Sequence, residues 1–186
     1  MIKDSIDQQL SQAVACLQIG GIVAYPTEAV YGLGCDPFNQ KAIEKLFHVK
    51  QRPMEKGVIL VAASVGQIKD WVELEGTVWQ DKVLASWPGP VTWVLPLKKP
   101  MPDWVTGGRD TVAIRVSDHP VVQRLCEAFG KPIVSTSANL TGFEPARSCD
   151  EVQDYFANQV YCVDAPLGKL SQPTQIWDAR TLTRLR

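Results

Sequence analysis

Two short clusters of polar side chains carry the chemistry this chain is equipped for. The first is Ser135-Thr136-Ser137-Ala138-Asn139, which follows the run Pro132-Ile133-Val134. Hydroxyls and a side-chain amide can both donate to phosphate or carboxylate oxygens. On an extended backbone Ser135 and Ser137 face one side and Thr136 the other, and Asn139 joins the serines where the strand persists that far. The second cluster is Lys50-Gln51-Arg52-Pro53, with Lys56-Gly57 just after. Pro53 stops a helix and pushes Arg52 toward extended backbone. Lys50 and Arg52 then point to one side and can grip a polyphosphate, Arg as a planar fork and Lys as a point charge. Each cluster alone also has a plainer reading. The first fits a strand end and an Asn turn closing at Gly142, and the second fits a solvated helix end whose cations complement the dipole.

Two further places invite the same question. Thr27-Glu28-Ala29-Val30-Tyr31-Gly32-Leu33-Gly34 follows the apolar stretch Ile22-Val23-Ala24-Tyr25 and Pro26. A polar triplet after a buried strand is the ligand side of an open α/β sheet. The same residues fit a strand-to-helix turn with Thr27 as N-cap. Gly32 and Gly34 permit close backbone approach or positive φ. Arg115 interrupts the apolar strand Val112–Val116 and needs a partner, because an unpaired buried charge is very costly. That partner is an internal Asp or Glu, or a substrate carboxylate held bidentately. Cys35 reads as a packed thiol and His48 as a surface or packing histidine.

The elements that must position these groups alternate between strand and helix. Ile6, Leu10, Val14 and Leu17 form one helical stripe ended by Gly20-Gly21. Asn39 caps a helix through Ile43, Leu46 and Phe47. Gly57–Ala62 is an apolar strand buried on both faces, and two helical segments follow around 65–72 and 77–86. Val91–Leu95 and Val112–Val116 are strands. His119-Pro120 opens a helix ending at Gly130, and Ser148 caps one over Cys149–Ala157. Val160–Val163 and the stretch before Asp178 are short strands, read as antiparallel additions. Alternation of this kind predicts an α/β domain with a mixed sheet.

Composition narrows the class. The chain has 186 residues and a formal net charge of -1, so bulk charge gives no sign of nucleic-acid affinity. The length suits a single domain over 1–186. Five cysteines without a CxxC pair and only two histidines predict neither a zinc site nor disulfides, and fit a reducing cytoplasm. No signal peptide and no run of about 18 apolar residues is visible, so no membrane role is expected.

With these pieces in place the chain resembles the TsaC/YrdC family of threonylcarbamoyl-AMP synthases. The resemblance runs from about Ser5 to Ile176. It rests on Ala24-Tyr25-Pro26-Thr27-Glu28-Ala29-Val30-Tyr31-Gly32, Lys50-Gln51-Arg52-Pro53, Pro88-Gly89-Pro90-Val91-Thr92, Ala113-Ile114-Arg115 and Ser135-Thr136-Ser137-Ala138-Asn139. Each motif is weak alone, and their order and spacing together are specific. The resemblance implies a twisted mixed sheet flanked by helices, with a concave ligand-binding face. It maps the family's Lys-x-Arg and Ser-x-Asn tetrad onto Lys50, Arg52, Ser137 and Asn139. It implies substrate contacts at Thr27, Tyr31, Lys56, Arg115, Ser135 and Thr174. The family's closing Pro-Ser-Thr-Ile stands here as Pro173-Thr174-Gln175-Ile176, which keeps a hydroxyl at Thr174 and puts Gln175 in doubt. A histidine that some relatives carry after the Lys-x-Arg segment is absent.

The resemblance further implies a synthase that joins L-threonine, bicarbonate and ATP, giving threonylcarbamoyl-AMP and pyrophosphate. Mg²⁺ would arrive with ATP, with no dedicated metal site and no tightly bound cofactor. Other proteins would pass the carbamoyl group to adenosine 37 of tRNAs reading ANN codons. Three competing readings have distinct signatures. A tRNA- or double-stranded-RNA-binding or ribosome-maturation protein would show a basic concave face. A hydrogenase-maturation type would carry zinc-finger cysteine pairs. An inactive paralogue would have lost the tetrad. The segment 50–57, basic and closing on Gly57, is a candidate lid.

Overall fold

The protein is described from a computed structural model over residues 4–51 and 57–186. The first helix, α1 (Ile6–Gln18), starts where Ser5 and Gln8 form a capping box: each side chain bonds the other's backbone N–H. Strands β1 (Val23–Pro26) and β2 (Tyr31–Gly34) follow as a hairpin, then α2 (Gln40–Lys50), whose cap is the Asn39 side chain accepting from the Ala42 N–H. Beyond Gly57 come β3 (Ile59–Ala62), α3 (Gln80–Ala85), β4 (Val91–Pro96), α4 (Asp103–Thr106), β5 (Thr111–Val116), α5 (Pro120–Phe129) and β6 (Ile133–Ser137). The chain closes with α6 (Cys149–Phe156), β7 (Tyr161–Cys162), β8 (Gln175–Asp178) and β9 (Thr183–Arg184).

Among the described residues nine strands join one sheet, in the order β7-β1-β2-β6-β3-β5-β4-β8-β9. The sheet is mixed: β3–β5, β4–β8 and β1–β7 run parallel, and the remaining pairs run antiparallel. Side-chain alternation splits its residues between two cores. Val23, Tyr25, Val61 and Ile133 pack against the apolar stripes of α1 and α5. Ala24, Leu33, Leu60, Ile114 and Val134 point the other way, against Ile43, Leu46 and Phe47 of α2. Burying each Leu, Ile or Val side chain here contributes about 1.5–3 kcal/mol.

Several expectations are corrected. Tyr31–Gly34 is not part of a strand-to-helix turn: it is a fully buried strand, and Thr27 caps no helix but donates its hydroxyl to the Val30 carbonyl across the hairpin turn (2.7 Å). Strand β6 lies antiparallel to both neighbours, so the rule for the carboxyl ends of parallel strands does not place its polar tip. The segments around 65–72 and 77–86 shrink to one 3₁₀ turn, Val65–Gln67, and to α3. At the C-terminal end β8 and β7 are parallel additions, and only β9 is antiparallel. The thiols are not all reduced: Cys149, at the start of α6, and Cys162, on β7, form a disulfide, because the fold brings their Cα atoms to 6.0 Å, inside bridging range. Composition counts cysteines but carries no distances. No helix among the described residues is long and apolar enough to cross a membrane.

Candidate active site

The cleft arises from strand register. On the sheet face that carries α1 and α5, pairing lines up Ser135, Ile59, Ala113, Val94 and Asp178 across five strands. Helix α5 covers the neighbouring positions Val61 and Ile133. The row from Ser135 to Asp178 instead borders an open cleft of about 700 Å³. Gly32, opposite Ser137, and Ala113 keep the floor low. Gly34 is needed behind this wall: a Cβ there would sit 2.4 Å from the Val134 carbonyl oxygen and 2.9 Å from the Tyr25 ring. Tyr25 donates its hydroxyl to that same carbonyl at 3.0 Å. The far rim is α4, against which Gly57 packs at φ 60° with no room for a side chain beside the Thr106 backbone.

Arg115 stands at the bottom of the cleft, 4% exposed. Its guanidinium donates to the hydroxyls of Thr174 (3.1 Å) and Thr92 (3.5 Å) and pairs with the Glu28 carboxylate at 3.3 Å. Glu28 in turn accepts from the Ser117 hydroxyl at 2.6 Å, and Ser117 accepts from the His119 N–H at 3.1 Å. The internal-acid partner for Arg115 is therefore present, and the arginine still reaches the cleft. His119 Nε2 donates to the Pro166 carbonyl at 3.2 Å, and burial holds the imidazole below its ordinary pKa.

Ser137 and Asn139 meet as expected: the Ser137 hydroxyl donates to Asn139 Oδ1 at 2.6 Å. The amide nitrogen of Asn139 is held by the Leu140 and Phe143 carbonyls. Lys50 joins them in a way the sequence did not suggest. It is not on an extended segment but on the last turn of α2, which Gln51 ends in left-handed conformation. The residue is 4% exposed, and its ammonium donates to the Ser137 carbonyl, the Asn139 carbonyl (2.8 Å) and Asn139 Oδ1 (3.4 Å). Ser137 lines the cleft; Lys50 and Asn139 stand behind it. Arg52, Lys56 and most of the candidate lid lie outside the described residues.

Thr27, Tyr31, Ser135 and Thr174 all line the cleft. The Tyr31 hydroxyl is engaged away from it, donating to the Ala165 carbonyl at 2.9 Å, and burial raises its pKa. Gln175 is exposed and accepts from Trp177, so it plays no part in the cleft wall. Cys35 is a packed thiol, pushed up by burial, and His48 is exposed. Sequence reasoning missed Glu28 as the partner of Arg115, and it missed Arg109 and Arg186 on the wall. Arg186 donates to the Thr174 carbonyl at 3.1 Å. Nothing local in the sequence marks either arginine. Among the described residues no group of three or more His, Cys, Asp or Glu could hold a metal ion.

A mixed sheet whose cleft gathers guanidinium and hydroxyl groups, with an amide and an ammonium behind them, defines an α/β protein whose cleft chemistry suits small anionic or zwitterionic molecules. The chain belongs to the Sua5/YciO/YrdC family: the family model described as "Telomere recombination" matches residues 15–186. A threonylcarbamoyl-AMP synthase from Pseudoalteromonas translucida is 50% identical over 91% of this chain and 92% of its own length. One from Xanthomonas euvesicatoria pv. vesicatoria is 51% identical over 98% of both. Among solved structures, P. abyssi Sua5 complexed with L-threonine superposes with a TM-score of 0.82 at 30% identity, covering 95% of this chain and 52% of that one. E. coli YciO gives a TM-score of 0.79 at 26% identity over 95% and 85%. The twisted mixed sheet with a concave face is thus the architecture of this family.

Proposed function

We propose that this protein is a threonylcarbamoyl-AMP synthase, a nucleotidyltransferase working as a single cytoplasmic domain. The observation that carries the reading is one cleft with two chemically distinct walls: Arg115 with Thr174 on one side, and Ser137, backed by Asn139 and Lys50, on the other. The first wall suits an amino-acid carboxylate. The second suits phosphate oxygens. Relatives about half identical over nearly the whole chain bear the synthase name, and the P. abyssi Sua5 structure holds L-threonine.

The threonine amine attacks the carbon of bicarbonate and water leaves, giving a carbamate. A carbamate oxygen then attacks the α-phosphorus of ATP, the bond to the β-phosphate oxygen breaks, and pyrophosphate departs in line. Such a step depends on positioning and charge stabilisation. Thr27 and Arg115 hold threonine, Arg115 at its carboxylate, with Tyr31, Ser135 and Thr174 shaping the pocket. Ser137 turns its hydroxyl from Asn139 to a phosphate oxygen, and Asn139 orients the same group. Lys50 fixes both from behind and places a positive charge near the phosphates. Arg52 and Lys56 add charge from the segment that follows. Mg²⁺ enters with ATP as part of the substrate, neutralising phosphate charge. The product passes to downstream carbamoyl-transfer proteins that act on adenosine 37 of tRNAs reading ANN codons.

The test is pyrophosphate release from ATP with and without L-threonine and bicarbonate, on wild type and Ser137→Ala. Release that needs both co-substrates and collapses in the variant is expected. Release independent of threonine, or none from folded protein, would overturn the synthase reading.

A further inference from the structure

Charge at the bottom of the cleft is balanced in an unusual way for a site that must handle anions. Arg115 and Glu28 are each 4% exposed, and Ser117 is fully buried. Glu28 is held from three sides: by the Ser117 hydroxyl, by the Leu170 N–H on its carbonyl (2.9 Å), and by Gly168, where a Cβ would lie 2.7 Å from the Glu28 backbone. Its Oε2 faces the guanidinium at 3.3 Å, longer than the ~2.7–2.9 Å of a charge-assisted hydrogen bond. Both Glu28 Oε2 and Arg115 Nε are buried without a hydrogen-bond partner. Buried polar groups are rarely left this way. The arginine is therefore compensated in charge while retaining capacity to donate.

We propose that Glu28 is the positioning and selectivity residue of the amino-acid subsite: by cancelling the Arg115 charge it makes the floor of the cleft accept a zwitterion and refuse a free anion. The proposal rests on the synthase reading for the identity of the zwitterion. The reaction mixture holds ATP, bicarbonate and pyrophosphate, all anions, beside one zwitterion. A bare buried guanidinium would take whichever anion is most abundant, because a lone charge in a dry site gains strongly from any counter-ion. Paired with Glu28, Arg115 adds no net charge to the floor, and a net anion bound at the pair would leave an uncompensated buried charge. A ligand with its own carboxylate and ammonium leaves none. Ser117 and the 168–170 backbone keep Glu28 in place, so the carboxylate cannot swing into the cleft in place of substrate.

The experiment uses sulfate as the probe anion, against L-threonine, in steady-state kinetics and in direct calorimetric binding. In wild type, sulfate is expected to compete with ATP and not with L-threonine. Glu28→Gln should raise the threonine KM about 10- to 100-fold, the worth of one charge-assisted bond, with little change in the ATP KM. It should also make sulfate competitive with threonine. Glu28→Asp keeps the charge, so it should not create that competition. Glu28→Gln with Arg115→Gln should abolish it, which locates the new anion site at Arg115. Sulfate competing with threonine in wild type would overturn the proposal, as would a Glu28→Gln variant that binds sulfate no better than wild type. If Glu28→Gln does not fold, the wild-type pattern and Glu28→Asp decide. If no threonine-dependent turnover exists, the synthase reading falls, and sulfate calorimetry on wild type and Glu28→Gln still decides the charge claim.

Discussion

Replacing Lys50 by methionine separates two roles that one side chain combines. Methionine keeps most of the aliphatic stem that α2 packs and removes the ammonium. Lys50 donates to the Ser137 and Asn139 carbonyls and to Asn139 Oδ1. The Ser137 carbonyl retains the Asn139 N–H at 3.0 Å, so it stays satisfied, whereas the Asn139 carbonyl loses the ammonium. The bonds to the two carbonyls, at ~1.5–3 kcal/mol each, set the gross loss, and the contact to Asn139 Oδ1 at 3.4 Å is too long to add much. Against this, an ammonium no longer has to be desolvated, and about 1–2 kcal/mol of frozen lysine rotamers is released. The net destabilisation is about 2–4 kcal/mol, which moves a urea midpoint down by roughly 1–2 M at the m-value of a domain this size. The assay is urea unfolding followed by far-UV dichroism, paired with pyrophosphate release corrected for the folded fraction. Activity should fall by at least about 100-fold per folded molecule, because Ser137 and Asn139 lose their backing and the phosphates lose a nearby charge. A shift under about 0.5 kcal/mol, the level of a surface change, would refute the pinning role. Normal activity in folded protein would refute the catalytic one.

Three further outcomes follow from the geometry. Gly34→Ala forces a methyl onto the Val134 carbonyl and the Tyr25 ring, so it should cost about 2–4 kcal/mol in chemical denaturation through overpacking and the lost Tyr25 bond; a neutral substitution would show that β2 and β6 can separate freely. Reducing the Cys149–Cys162 bridge, or replacing both by serine, should lower stability by about 2–3 kcal/mol, since it reopens a loop of sequence separation 13, with little effect on turnover; unchanged melting with and without reductant would contradict that. Burial depresses the His119 pKa below 6.5, so the unfolded chain takes up a proton the folded chain refuses. Stability contributed by neutral His119 is then fully present above the unfolded value and is lost as pH falls below about 6.5. The melting temperature should decline from pH 7.5 to 5.5, and His119→Gln should flatten that decline; an unchanged slope would remove His119 as its source.

The parts of this fold that could be read from sequence are those whose cause is local. Asn39 and Ser148 each cap a helix within three residues of themselves, and the stripe of α1 repeats with the period of its own backbone. The hydroxyl-rich tip of β6 was legible for the same reason: alternation alone puts Ser135 and Ser137 on one face, and both line the cleft. What was misread depends on partners distant in sequence. Tyr31-Gly32-Leu33-Gly34 has two glycines and little strand propensity. It is a strand because Gly34 alone lets β2 approach the Val134 carbonyl and the Tyr25 ring. Pro53, three residues after Lys50, predicts an extended grip, yet Lys50 stays on the last turn of α2 and reaches the carbonyls at the end of β6. Arg115 announced that it needed a counter-charge, but nothing near it in sequence singled out Glu28, which the β1–β2 turn delivers from the far side of the sheet. Cys149 and Cys162 show the same limit, since an odd cysteine count says nothing about which two sulfurs the fold brings together. The division has a functional consequence. Groups proposed to touch substrate sit at strand ends, where local chemistry exposes them. The groups that tune them, Glu28, Ser117 and Lys50, are supplied by tertiary packing, so a motif can mark the contact residues without revealing the charge state in which they work.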